Sequence, residues 1–296
     1  MSAGLQVTLG QHSQAGRKPV NQDFHGAMVP HGPLLASKGI ALALADGISS
    51  SAVSQIASAA AVRSFLDDYY CTSEAWSVRR AAQRVLEAGN SWLHAQTQRS
   101  PARFDRDRGH VCTFSALILK GREAHLLHVG DTRVYRLHAQ ALEQLTKDHR
   151  VQVSSVESYL GRALGAGPSV EIDYRCWDTE PGEVYLLATD GVWEHVDATA
   201  VQAVLARRFG VADQQRGGLV GQADVAAAVD QQHAGAPVVA AVLHRKKAFG
   251  HGEVKPGGEQ HSANHHGHGG GQRQGHHPRP QGDLQDRIRN PAEHRG

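Results

Sequence analysis

Short apolar runs separated by turn residues dominate the first two thirds of the chain. IALALAD (40–46), VCTFSALILK (111–120), EAHLLHVGD (123–131), TRVYRL (132–137) and EVYLLATD (183–190) are compact, β-compatible and bounded by glycine, charge or turn residues, so each predicts a strand. Between them, residues 50–66 and 76–98 carry helical periodicity, the second through Val78, Ala82, Val85, Gly89 and Trp92. A further helix is predicted over 197–209 with Asp197 as its N-cap. The short links between 111–120, 123–130 and 132–137 predict an antiparallel meander, and the segregation of helices from hairpin-linked strands predicts an α+β layered fold. The stretch 224–245 reads as a helix followed by a strand-like VVAAVL.

The tail has a different texture. From His251 onward there is no aromatic residue, and Val254, Leu284 and Ile288 are the large aliphatics. Repeated His, Gly, Gln and Arg there predict a low-complexity segment without a core. The expected organisation is a domain over 1–246 and a His/Gly-rich tail over 247–296.

Composition narrows the partners more than it names one. With 31 Lys and Arg against 29 Asp and Glu, the net charge of +2 gives no global field that selects nucleic acid. The first twenty residues lack an apolar leader core, and no run approaches the ~18 apolar residues of a spanning helix, so no membrane segment is expected. Cys71, Cys112 and Cys176 are odd in number and lack C-x-x-C spacing, which argues against a disulfide framework and fits a reducing, cytoplasmic setting.

Three predicted strands end in an aspartate beside glycine: Asp46 in ALADG, Asp131 in HVGD and Asp190 in ATDG. D-G is a common turn dipeptide, so any one of them could simply begin a loop. Several carboxylates brought to one sheet edge repel each other unless protonated or bridged by cations, and oxygen ligands without thiolates suit Mg²⁺ or Mn²⁺. A covalent-aspartate phosphatase would need an acid two residues earlier, where Leu44 and Ala188 stand. There is no G-x-x-x-x-G-K-[ST], G-x-S-x-G or H-E-x-x-H.

Taken together, GRKPVNQDF (16–24), ALADGISSS (43–51), LHVGDTRVYRL (127–137), LTKDH (145–149), LGRALG (160–165) and LLATDGVWEHV (186–196) resemble the PP2C-like (PPM) family of metal-dependent protein phosphatases, bacterial branch, over about residues 5–210. The resemblance implies a four-layer α-β-β-α sandwich with two central antiparallel sheets. It implies that Asp46 bridges two cations, Mn²⁺ or Mg²⁺, with the Gly47 carbonyl on one of them and Asp190 on the other. Asp23 would be an inner or outer partner, and Asp131 with Glu194 would hold a third, weaker cation, with Asp148 nearby. Lys18, with Arg17 adjoining it, is the phosphate-binding candidate. The implied reaction is hydrolysis of phosphoserine and phosphothreonine by a metal-activated water, with phosphoproteins, a cognate kinase and its substrates as partners. Where animal relatives carry a histidine after the bridging D-G, this chain has Ile48 and Ser49. His128 and His149 read as core or loop histidines.

The chain also departs from the family pattern. The D-N-x-[ST] that normally precedes the last strand is absent, and neither Asp213, Asp224 nor Asp230 has the right surroundings. This motivates two alternatives, a changed reading frame after about Gly210 and a pseudophosphatase that binds phosphoproteins without turning them over; separately, the imidazoles of the His-rich tail suit a metal-storing or metal-sensing role.

Overall fold

The computed structural model describes residues 5–152, 158–209 and 238–245, all within the unit Met1–Gly250; the tail from His251 lies outside them. The strands are β1 (Val7–Gln14), β2 (Asp23–Met28), β3 (Ile40–Asp46), β4 (Phe114–Lys120), β5 (Glu123–Val129), β6 (Arg133–His138), β7 (Ala141–Gln144), β8 (Arg150–Gln152), β9 (Ser158–Leu160), β10 (Asp173–Asp178), β11 (Val184–Ala188) and β12 (Val238–Arg245). The α-helices are α1 (Gly32–Lys38), α2 (Ser54–Cys71), α3 (Val78–Gln98), α4 (Asp190–Trp193) and α5 (Ala198–Phe209).

Two antiparallel five-stranded sheets run β1-β12-β11-β6-β7 and β10-β5-β4-β3-β2, with β8 and β9 forming a separate hairpin. The interior strand β3 shows why they stack. Ile40, Leu42 and Leu44 point from one of its faces into a core shared with Leu117, Leu126, Val134, Tyr185 and Leu187 of both sheets. From the other face Ala41, Ala43 and Ala45 meet Ala57, Ala61 and Phe65 of α2, where small side chains let helix and sheet approach closely. Leu137, Val184, Leu186 and Ala188 form a third cluster with Val192 and Leu205, which covers the outer face of the other sheet. Helices, sheet, sheet and helices make the four layers that the sequence implies.

Several local expectations are corrected by tertiary context. The meander stops after its first hairpin: β4 and β5 pair, but β6 crosses into the other sheet beside β11. Gly130, at φ +110°, makes that departure. The helix expected at 50–66 spans 54–71, because contacts elsewhere hold residues 48–53 as a loop; the Ser51 hydroxyl, for example, donates to the Gly109 carbonyl at 2.7 Å. On α3 the buried stripe includes Leu86 and Leu93, whereas Trp92 is 49% exposed. Asp197 caps α5 as expected, its carboxylate accepting the Thr199 N–H at 2.8 Å.

Strands β1, β2 and β10 escape the hydropathy pattern because they are only partly buried. The strand-like VVAAVL lies in β12, whose backbone pairs with both β1 and β11. Residues 210–237, with Asp213, Asp224 and Asp230, lie outside the described residues.

Candidate active site

The site begins with strand register. Asp23 opens β2 and Asp46 ends β3, and the two stand directly opposite each other in the antiparallel pair. Asp23 is buried and triply fixed: its N–H donates to Asn21 Oδ1 (3.0 Å), its Oδ2 accepts the Thr189 hydroxyl (3.0 Å), and its strand partner is Asp46. Thr189, which follows β11 and precedes Asp190, therefore ties the end of that strand to β2 in the other sheet. Asp46 is held through its backbone. Its N–H donates to Thr113 Oγ1 (3.0 Å), and its carbonyl accepts the Thr113 N–H (2.8 Å).

Gly47 turns the chain where neighbouring backbone leaves no room for a side chain. A Cβ there would meet the Ser54 carbonyl oxygen at 2.7 Å and the Gln22 carbonyl oxygen at 2.8 Å, so the position demands close approach and not a left-handed backbone. The Gln22 amide braces the loop beyond, donating to the Ser51 carbonyl (3.0 Å) and the Ser54 hydroxyl (2.7 Å).

Asp190 lies beyond the end of β11, in the first turn of the one-turn helix α4, and Glu194 follows one turn later with its N–H on the Asp190 carbonyl (2.9 Å). Asp131 lies where the chain crosses from β5 to β6 and is buried. Between these groups sits Arg150, the first residue of β8. Its Nε donates to Asp131 (2.7 Å), and its Nη2 is 3.2 Å from Glu194 and 3.8 Å from Asp190. Asp148 is turned to another partner, gripping Arg133 in a bidentate pair at 3.0 and 2.7 Å. Lys18 donates to the Ser49 hydroxyl (3.0 Å) on the loop after Gly47, and its charge acts on Asp23. Arg17 is exposed on the same turn.

Electrostatics mark the convergence. Burial pushes the Asp46 carboxyl well above the ordinary carboxylate range, and the charges of Asp23, Asp190 and Asp131 push it further. Asp23 is raised chiefly by burial, against the pull of its hydrogen bonds to Asp46 and Thr189. Asp131 is raised by burial despite Arg150. Ionisation of Asp46 is thus opposed by its burial and by the three neighbouring acids. A set of oxygen donors that cannot all ionise together fits hard divalent cations such as Mg²⁺ or Mn²⁺. The one thiol close enough to act on this group, that of Cys112, is buried in the core and held neutral.

The two histidines near the site are structural. His128 takes the Ser115 hydroxyl at Nδ1 (2.9 Å) and donates Nε2–H to the Lys147 carbonyl (3.1 Å), and burial pushes its pKa down to about 4. His149 accepts the Gly130 N–H at Nδ1 (3.0 Å) and donates from Nε2 to Asp173 (3.0 Å). Because the unfolded chain takes up a proton at position 128 near pH 6.5 and the native state only near pH 4, stability should fall as pH drops through that window, by up to about 3 kcal/mol. Urea unfolding at pH 7 and 4.5 checks this. His128→Gln should show a smaller loss between the two pH values than the unmodified chain, and an equal loss would remove His128 as the cause.

Thr113, Thr189 and Arg150 were not singled out by the sequence. Thr189 adjoins the ATDG motif, but its reach to Asp23 spans 166 positions and has no local signal. Arg150 arrives only because the β8–β9 hairpin folds over the carboxylates.

Comparison with known proteins gives the family and the fold. The Protein phosphatase 2C family profile matches residues 11–230. Serine/threonine protein phosphatase PstP of Mycobacterium tuberculosis is 32% identical over 181 residues, covering 55% of this chain and 34% of PstP. The matched region thus spans about a third of that relative's length. Serine/threonine phosphatase stp of Listeria monocytogenes is 27% identical over 185 residues, covering 55% of this chain and 70% of the relative. The solved catalytic domain of PstP in complex with two manganese ions superposes with a TM-score of 0.63 at 21% identity, over 82% of this chain and all of that one, which shows a shared fold. With three quarters of its length matched by the family profile, the chain belongs to the protein phosphatase 2C family.

Proposed function

We propose that this chain is a metal-dependent protein serine/threonine phosphatase that hydrolyses phosphoserine and phosphothreonine on proteins. The observation that carries the reading is the meeting of Asp23, Asp46 and Asp190, from both sheets, beside Lys18. Asp46, the Gly47 carbonyl, Asp23 and Asp190 would hold two cations, Mn²⁺ or Mg²⁺; a structure titled as a complex with two manganese ions exists for PstP and supports that count. When bound, such cations lower the pKa of a water and neutralise charge on phosphoryl oxygens.

The chain's own residues supply the rest. Thr189 and Asn21 fix the Asp23 carboxylate, Thr113 fixes Asp46, and Lys18 offers a point charge for the phosphoryl group, with Arg17 within reach of a longer substrate. Phosphoproteins are the substrates this chemistry implies, with a cognate kinase and its targets as partners. Among the described residues no helix is long and apolar enough to cross a membrane. Phosphate release from a phosphothreonine peptide, with Mn²⁺ or Mg²⁺ and then with chelator, tests the reading; no metal-dependent release would leave the pseudophosphatase alternative standing.

Arg150 bears on the third cation. Its guanidinium already neutralises Asp131 and Glu194, the residues that would hold it. Arg150→Gln should therefore expose a further weak Mn²⁺ site and tighten the existing ones by about 3- to 10-fold, the size of one partly screened charge at this range. Calorimetric titration of Mn²⁺ into both proteins reads the change directly; identical isotherms would show that Arg150 does not compete with cations.

A further inference from the structure

A second group of metal-ligating side chains lies at the other end of β5. Glu123 and His125 are two residues apart on that strand and share a face, and Cys176 of β10 stands directly opposite His125 in the antiparallel register. Their ligand atoms all lie within 4.8 Å of one another. His125 is six residues before Asp131, about 20 Å along an extended strand, so this group is separate from the carboxylate site.

The histidine is arranged as a ligand. Its Nδ1 is 2.9 Å from the Tyr174 hydroxyl. In the tautomer that donates Nδ1–H to that oxygen, the lone pair of His125 falls on Nε2. That nitrogen is buried without a hydrogen-bond partner, on a residue only 5% exposed, and it faces the Glu123 carboxylate at 3.5 Å. A lone pair aimed at a carboxylate is unfavourable unless a proton or a cation lies between them. A metal ion meets the requirement, and a hydrogen-bonded second ring nitrogen is the usual support for a ligating histidine.

We propose that Glu123, His125 and Cys176 form a Zn²⁺ site that clamps the edge strand β10 to β5. One nitrogen, one sulfur and one carboxylate oxygen suit a borderline cation and not Mg²⁺, and thiolate plus carboxylate balance its charge. Binding displaces the thiol proton to solvent. Cys176 and Glu123 are exposed, which leaves a fourth position open to water. The clamp would steady β10, whose Asp173 holds His149 against Gly130. It does not depend on the phosphatase reading.

Co²⁺ serves as the spectroscopic probe, titrated into the full chain under a non-thiol reductant with Mg²⁺ in excess to occupy oxygen sites. A thiolate-to-cobalt charge-transfer band should grow to one equivalent and vanish when Zn²⁺ is added. The imidazoles of the His-rich tail cannot produce that band. Cys176→Ser should abolish it, Cys71→Ser should retain it, and Glu123→Gln should weaken apparent Co²⁺ affinity by about 10-fold or more. Absence of the band, its survival in Cys176→Ser, or its loss in Cys71→Ser would overturn the site.

Discussion

Asp46→Asn should reduce metal-dependent phosphate release by about 1,000-fold or more, because one substitution removes the carboxylate shared by both proposed cations. The same change should raise the stability of the metal-free protein. Burial and three neighbouring aspartates oppose the ionisation of Asp46, so a neutral amide in its place relieves repulsion. The relief should be worth about 1 kcal/mol, or ~2–4 °C in thermal midpoint for a domain of this size. With Mn²⁺ the order should reverse, since the parent gains the free energy of binding and the variant does not. Thermal unfolding with and without Mn²⁺, alongside the peptide assay, reads all three expectations. A variant with near-parental activity, or one less stable than the parent in chelator, would remove Asp46 from the bridging role.

Gly130→Ala should cost about 3 kcal/mol or more and take activity with it. The backbone there has φ +110°, and a Cβ would lie 2.6 Å from both Cβ and Cγ2 of Thr113 and 3.1 Å from its Cα. Thr113 is the residue that bonds both the N–H and the carbonyl of Asp46, so the displacement reaches Asp46 on one side and Asp131, the next residue, on the other. The neighbouring hairpin glycine supplies the control. Gly121 has φ +60° but nothing within 4 Å of its would-be Cβ, so Gly121→Ala should cost about 1 kcal/mol and leave turnover intact. Denaturant unfolding and the same peptide assay compare the two. If both variants lost the same modest stability and kept activity, the packing of Gly130 on Thr113 would not be what positions the site.

Elements whose pattern is local are legible from the chain alone. Strands β3, β4, β5 and β11 are buried on both faces or nearly so, and their apolar runs are readable without a partner. The D-G pairs at 46–47 and 190–191 and the NQD around Asp23 were equally legible, because turn chemistry and carboxylates announce themselves at short range. Everything that depends on which strand lies beside which emerges only on folding. The departure of β6 from the meander, the bond from Thr189 to Asp23 and the placement of Arg150 among three acids each join residues with no common local signal. The half-buried strands β1, β2 and β10 belong with them: their weak hydropathy pattern becomes strand only when a neighbour supplies hydrogen-bond partners, and that pairing alone brings Asp23 opposite Asp46 and Cys176 opposite His125.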